Sequence, residues 1–329
     1  MTRTFLSLLA GTALLGGLAA GSAGAVELRF AHYAAEDHPG HEAALMFAEA
    51  VAQRTNGEVT VTVYPNNELG SPPEQLEQTV LGLIDMSVPT QGALQDYVKE
   101  FAVVMTPFVF DSYQHAWRVL DGPFAEWTAP LLEDKDLVFL SNWEWGFRNV
   151  TNAVRPIMTP ADMAGLRMRT PPEIQLQAAM EASGATVEQI AFPELPMALQ
   201  QGVVDGQENP LSVIYHFRLY EVQPYLALTR HVYNSMVHVI SKQTWDQLTA
   251  EQQQILREES ARAGQHFRDA LVANEANLLE LLQSEGGMEV TEPDIAAFRA
   301  VMQPAYDRIG EYAGAENVTR FLEMVEAAR

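Results

Sequence analysis

The sequence predicts an α/β protein of two domains, and three observations predict it. Strand-like runs and helix-like segments follow one another from Val26 to Pro89, giving β-α-β-α-β within about 65 residues, a connection pattern that builds a parallel sheet with helices on its faces. A second β-α-β-α unit begins near Arg148. The chain has 329 residues, long for one hydrophobic core and comfortable for two. No composition break or linker separates the halves, so the chain is expected to cross between domains several times.

Val26 to His32 alternates as a strand and breaks at Glu36-Asp37-His38-Pro39-Gly40. Apolar residues at Ala44, Leu45, Phe47, Ala48 and Val51 predict a helix closed by Asn56-Gly57. Val59 to Tyr64 alternates as an edge-like strand stopped by Pro65. Ser71 is placed to cap a helix with proline in its first turn, and Ile84 to Pro89 is the next short strand. Ser112 to Leu132 has a helical period broken at Gly122-Pro123. Leu137 to Leu140 is a buried strand that runs on into Asn142 to Arg148, where Trp143, Trp145 and Phe147 alternate and should share one side, with Glu144 on the other. Thr159 to Asp162 signals a helix start, Pro172 to Ser183 a helix, Ala185 to Phe192 an extended run, and Pro193 to Gly202 a short helix with its prolines in the first turn. Val232 to Ile240 is a buried strand, and the tail from Thr249 to Arg329 is mostly helix.

Composition narrows the function. Arg3, an apolar core from Phe5 to Ala20 and a small-x-small site at Ala23-Gly24-Ala25 read as an export signal cleaved near Ala25. No later stretch has the roughly 18 consecutive apolar residues of a membrane span. The formal net charge of -23 argues against nucleic acid and anionic membrane surfaces as partners. The absence of cysteine excludes disulfides, lipoprotein attachment and thiolate metal sites.

Two arginines stand at strand exits, where α/β proteins place ligands: Arg148 in Gly146-Phe147-Arg148-Asn149 and Arg169 in Arg167-Met168-Arg169-Thr170-Pro171. In an acidic chain they are candidates for an anion's local cations, although salt-bridge partnership is the commoner role of arginine. A guanidinium offers a planar fork that matches a carboxylate, which a lysine does not. Trp145 and Phe147 are aromatic candidates to hold a ligand's carbon skeleton beside it. Tyr33, Glu36 and Gln91, at or near strand exits of the first half, are further candidates for reading a ligand. His38 and His41 lie three apart, not the four of a zincin helix, so capping or loop packing is expected and no metal site. No phosphate loop, dinucleotide fingerprint, nucleophile elbow or zincin motif occurs in the mature region, and no cofactor is expected.

The ordered set Gly146 to Ile157, Gly165 to Pro171 and Ala198-Leu199-Gln200-Gln201-Gly202-Val203-Val204-Asp205-Gly206-Gln207-Glu208-Asn209-Pro210, with Tyr64-Pro65, Glu68-Leu69-Gly70 and Glu221-Val222-Gln223, resembles the periplasmic substrate-binding subunits of tripartite ATP-independent periplasmic (TRAP) transporters. The resemblance covers nearly all of the mature chain. It implies a two-lobed periplasmic-binding-protein-like fold, with a ligand cleft between the lobes and a long bridging helix. It further implies lobe I from residues 26–146 plus about 235–275 and lobe II from 147–234 plus about 276–329. Arg169 resembles the principal ligand-carboxylate arginine, Arg148 a second one, Asn209 the amide that helps hold the carboxylate, and Phe192 an aromatic wall. Arg155 and Arg167 fit structural or exposed charges. The chain departs from the family pattern at Gly184 to Gln189 and at Glu194-Leu195-Pro196, both beside Phe192.

The expected function is therefore capture of an organic carboxylate, with a hydroxylated monocarboxylate such as a sugar acid favoured, by hinge closure and delivery to a membrane permease. The expected protein is a monomer, not inserted in the membrane and not an enzyme. A secreted α/β enzyme acting on a small carboxylate, and a sensor presenting its closed form to a receptor, are the alternatives.

Overall fold

The computed structural model describes residues 25–329, so the export signal read over Met1 to Ala25 lies outside the described residues except for its last position. The strands are β1 (Val26–Ala31), β2 (Val59–Tyr64), β3 (Met86–Ser87), β4 (Leu137–Asn152), β5 (Arg167–Thr170), β6 (Thr186–Gln189), β7 (Gly206–Asn209), β8 (Tyr225–Ser241) and β9 (Glu289–Thr291). The α-helices begin with α1 (Pro39–Arg54), α2 (Pro72–Val80), α3 (Tyr113–Val119), α4 (Ala125–Glu133), α5 (Ile174–Ala182), α6 (Leu195–Gln200) and α7 (Leu211–His216). They continue with α8 (Lys242–Trp245), α9 (Ala250–Ser284), α10 (Ile295–Ala300), α11 (Gln303–Ala313) and α12 (Ala315–Ala327).

The strands form one sheet in the order β2-β1-β3-β8-β4-β7-β5-β6, with β9 added beside β8. Each wing is parallel where β-α-β connections built it: β1 with β2 and β3, and β5 with β6 and β7. The wings meet through the antiparallel pair β4 and β8, strands of 16 and 17 residues. These two strands and the 35-residue helix α9 carry the chain between the lobes. Strand length explains the difference from the sequence reading, in which β8 began at Val232: its first residues, from Tyr225, pair with β9 and the end of β4.

Local signals act where the sequence placed them. The carboxylate of Glu74 accepts from the Ser71 N–H at 2.7 Å at the start of α2. The helical stretch after Ser112 breaks at Gly122, whose φ/ψ of −105/−112 leaves the helical region and separates α3 from α4. His38 caps α1, its Nδ1 accepting from Gly40 N–H at 3.0 Å. His41 Nδ1 lies 3.0 Å from His32 Nε2, and among the described residues no group of three or more ligating side chains is placed to hold a metal.

One large core unites α1, the first wing, the first half of α9 and the middle of β4 and β8, through residues such as Phe30, Phe47, Trp143, Val239 and Phe267. Two further cores lie in the second lobe. One gathers Val150, Met168, Ala179, Phe298 and Met302, and the other Leu195, Val204, Ile214, Leu278 and Leu282. Phe321 and Val325 of α12 join the first core.

The middle of β4 differs from the alternation expected there. Trp143 packs on Phe30 and donates Nε1–H to Ser260 O at 3.1 Å, and Trp145 lies against His38 and Tyr33. Phe147 instead joins Tyr113 and Tyr233, the side on which Glu144 accepts from Tyr233 O–H at 2.9 Å and Trp117 Nε1–H at 2.7 Å. The cause is a shift in the β4–β8 register between Glu144 and Gly146, with Gly146 at φ +116. An extra residue in one strand moves all that follows to the other face.

Candidate functional site

Between the two wings lies a cavity of about 400 Å³. The first lobe contributes Tyr33 after β1, Pro72, Pro73, Leu76 and Glu77 of α2, and Thr90, Ala93, Asp96 and Tyr97 beyond β3. Trp145 and Arg148 enter from β4. The second lobe contributes Arg169 from the end of β5, the Pro171-Pro172-Glu173 turn, the Gln189 to Phe192 stretch and Asn209 at the end of β7. The parallel strands of that lobe thus present their carboxyl ends to the cavity, which is why side chains distant in sequence converge there.

Arg169 is 1% exposed. Its Nε–H donates to Ile190 O at 2.8 Å, and its Nη2 is buried with no hydrogen-bond acceptor in the protein. Its guanidinium carbon lies 5.9 Å from the Phe192 ring centre. Burial, and then the neighbouring Arg148 charge, lower its pKa to about 10. A group so placed in the cavity wall retains an unspent donor and a charge that burial disfavours, which is the arrangement that an anion completes.

Arg148 is buried too, but four of its five N–H donors are committed. Nε–H and Nη2–H donate to the two carboxylate oxygens of Glu208 at 2.5 and 2.8 Å, Nη2–H also to Glu208 O at 2.7 Å, and Nη1–H to Asn234 Oδ1 at 2.6 Å. His231 Nε2 stands 3.3 Å from Glu208 Oε2. Burial opposes ionisation of both members, yet their mutual attraction outweighs it: the pKa of Arg148 is raised and that of Glu208 lowered.

Asn209 lies in the wall, its amide N–H donating to Gln207 Oε1 at 2.5 Å. Tyr33 donates its O–H to Met236 Sδ at 2.9 Å and meets the Trp145 and Phe192 rings edge-on at 5.3 and 5.8 Å. Of the residues singled out from sequence, Arg169, Arg148, Asn209, Phe192, Tyr33 and Trp145 therefore line the cavity. Two do not. Glu36 is an exposed loop residue, and Gln91 turns away to donate Nε2–H to Asn142 Oδ1 at 2.8 Å. Arg155 and Arg167 bond Asp162 O and Asp205, respectively, outside the cavity wall.

Sequence reasoning missed Glu173, Thr90 and the Glu208 carboxylate. Glu173 is buried at the start of α5; Oε1 accepts from Thr90 Oγ1–H at 2.9 Å and Oε2 has no partner. Burial pushes its pKa up to about 7, against the pull of Arg148. Its only sequence signal was its place as a helix-start acid four residues after Arg169. Glu208 sits on β7, antiparallel to β4, with its partner Val150 two residues from Arg148, a proximity that only the strand register reveals.

Comparison with known proteins agrees with this geometry. The family model of bacterial extracellular solute-binding protein, family 7, matches residues 30–312. The C4-dicarboxylate-binding periplasmic protein of Rhodobacter capsulatus is 32% identical over 297 residues, covering 89% of each chain. An uncharacterized protein of Sinorhizobium fredii is 36% identical over 271 residues, and there the match spans 82% of this chain but 50% of the longer relative. Among solved structures, the sugar acid binding protein of Advenella mimigardefordensis in complex with galactonate superposes with a TM-score of 0.89 at 30% identity, over 93% of this chain and 99% of that one. A TRAP periplasmic solute binding protein from a Polaromonas species, bound to D-erythronate, gives a TM-score of 0.86 at 33% identity, over 90% and 98%. The chain belongs to the bacterial extracellular solute-binding proteins of family 7, the two-lobed periplasmic solute-binding proteins of TRAP transporters.

Proposed function

We propose that the cavity binds an organic acid through Arg169, and that the acid is a hydroxylated monocarboxylate of the sugar-acid kind. The observation that carries the reading is that Arg169, a residue of the cavity wall, is buried with its Nη2 unpartnered. Asn209 is assigned the second contact to the carboxylate, and Phe192, Trp145 and Tyr33 the walls around the carbon skeleton. Arg148 acts differently from Arg169: with its fork held by Glu208, it supplies field and shape more than a free bidentate grip. Thr90, Gln189, Tyr97 and Glu173 are available to hydroxyl groups. The galactonate and D-erythronate bound by two similar proteins agree with such a ligand.

Lobe I is assigned residues 26–146, about 235–275 and α12, and lobe II the rest of 147–312; both close on the ligand about the irregular stretch of β4 and β8 between Glu144 and Val150. The protein works as a monomer, exported with cleavage near Ala25, and hands its ligand unchanged to the permease without catalysis. Mass spectrometry of acids that co-purify with the native protein, followed by calorimetry with each acid, tests the assignment. Arg169→Ala should weaken binding by at least tenfold, and Arg169→Lys by less. Affinity within twofold of wild type in a folded Arg169→Ala protein would remove Arg169 from the site. Small-angle scattering with and without the identified acid tests closure: an unchanged radius of gyration counts against it.

A further inference from the structure

The charges around the cavity do not balance, and their distribution separates the two classes of acid that similar proteins take. Two cations line it, Arg148 and Arg169, and the first is neutralised by Glu208. Three carboxyl groups line it as well: Glu77 and Asp96 on the first-lobe side and Glu173 on the second. Among the described residues the cavity wall therefore has one uncompensated cation and three acids.

Glu173 is the deepest of the three. It is 5% exposed, while Glu77 and Asp96 are exposed at the rim. One of its oxygens is held by Thr90 and the other has no donor. The side chain has room because residue 92 is glycine: a Cβ there would stand 2.2 Å from Glu173 Oε2, closer than any real contact. It is felt electrostatically by both Arg148 and Arg169.

We propose that Glu173 is a selectivity residue: it accepts a hydrogen bond from a donor on the bound acid and, with Glu77 and Asp96, excludes any acid bearing a second carboxylate. The inference rests on the carboxylate reading of Arg169. A first carboxylate engages Arg169. A second finds no further free cation among the lining residues and has carboxyl groups on both sides of the cavity, and like charges brought together in a closed site repel. Hydroxyl or ammonium groups meet acceptors instead. Burial raises the pKa of Glu173 to about 7, so it accepts as a carboxylate above that pH and as a neutral carboxyl below it.

The test uses pairs of acids that differ by one oxidised carbon: galactonate with galactarate, and D-erythronate with meso-tartrate. Calorimetry at pH 8 on the wild-type protein should show the monocarboxylate of a pair bound about 100-fold more tightly than its dicarboxylate. Glu173→Gln, which keeps the side chain's size and its bond from Thr90 but puts an amide donor in place of the free acceptor, should weaken monocarboxylate binding by about tenfold while leaving dicarboxylate binding no weaker, and so narrow that ratio by about tenfold or more. Glu173→Asp keeps the charge and should keep the ratio. A wild-type ratio below threefold overturns the inference without any variant, as does a ratio that Glu173→Gln leaves unchanged or that Glu173→Asp collapses equally. If the wild-type protein binds no carboxylate at all, the reading of Arg169 fails and this inference falls with it. Binding of both acids of a pair with equal affinity fails this inference alone.

Discussion

Glu208 takes both prongs of the Arg148 guanidinium in a pair that is almost wholly buried, its members 0% and 3% exposed. The two lie on neighbouring antiparallel strands where the second wing begins, so the pair ties β4 to β7 at the base of the cavity. Breaking a buried pair from one side strands the other charge. Arg148→Ala and Glu208→Ala should therefore each lower the unfolding free energy by about 3–5 kcal/mol. Denaturant titration of both variants checks this. A loss under about 1 kcal/mol would mean that the pair is held for the ligand and not for the fold.

Arg169 predicts the opposite sign. Its guanidinium is buried with one nitrogen unpartnered, and its lowered pKa reports a charge that burial, and then the neighbouring Arg148, disfavour. Replacing it with methionine removes that cost and keeps most of the volume. Arg169→Met should raise the stability of the ligand-free protein by about 1–3 kcal/mol while abolishing measurable carboxylate binding. Loss of both stability and binding would place Arg169 with Arg148 as a structural residue.

Two buried carboxyls set the pH dependence. Burial pushes Glu144 and Glu173 up to about 7 from an ordinary 4.5. Between those values the folded protein holds its protons more tightly than the unfolded chain, so this contribution is complete below pH 4.5 and lost as pH rises through about 7. Glu208 has the reverse sign, because Arg148 lowers its pKa in spite of burial: its contribution is present above 4.5 and lost as pH falls through the folded value. Unfolding free energy should thus peak near pH 4.5 and decline as pH rises to about 7, by up to about 3 kcal/mol for each raised group, levelling off above that. Urea unfolding across that range should show it, with a shallower decline in Glu173→Gln. A wild-type protein that gains stability from pH 6 to 8 contradicts the account.

The fold was largely legible because each wing is made of local units. The edge strand Val59–Tyr64 begins and ends where its alternation does, and α2 begins at its serine cap. Motif order identified Arg169, Asn209 and Phe192, and all three line one cavity. What stayed illegible depends on register between distant strands. The periodicity of Trp143, Trp145 and Phe147 contains no sign of the shift at Gly146, and no spacing connects Arg148 to Glu208 across 60 positions. Thr90 and Glu173, 83 positions apart, meet only because the two wings face each other.

The bridging helix offers a final test, in which propensity and packing disagree in sign. Gly264 lies inside α9 where the helix crosses β4, and a Cβ there would stand 2.7 Å from Asn142 O and 2.9 Å from Trp143 Cδ1. The helix is seated nearby through Ser260, whose hydroxyl meets Ser141 Oγ at 2.6 Å and His238 Nδ1 at 2.8 Å, and whose carbonyl accepts from Trp143 Nε1–H. Neither the backbone carbonyl nor the indole can yield without lifting α9 from the sheet that it bridges. Helix propensity alone would have Gly264→Ala stabilise the protein by up to about 1 kcal/mol. Overpacking should win, with a net loss of about 1–3 kcal/mol. Gly310, inside α11, has nothing within 4 Å of an added Cβ. Gly310→Ala should therefore gain about 0.5–1 kcal/mol, as propensity says. Urea denaturation of the two variants side by side decides the matter: equal signs would show that α9 is free to move at its crossing and is not a rigid bridge between the lobes.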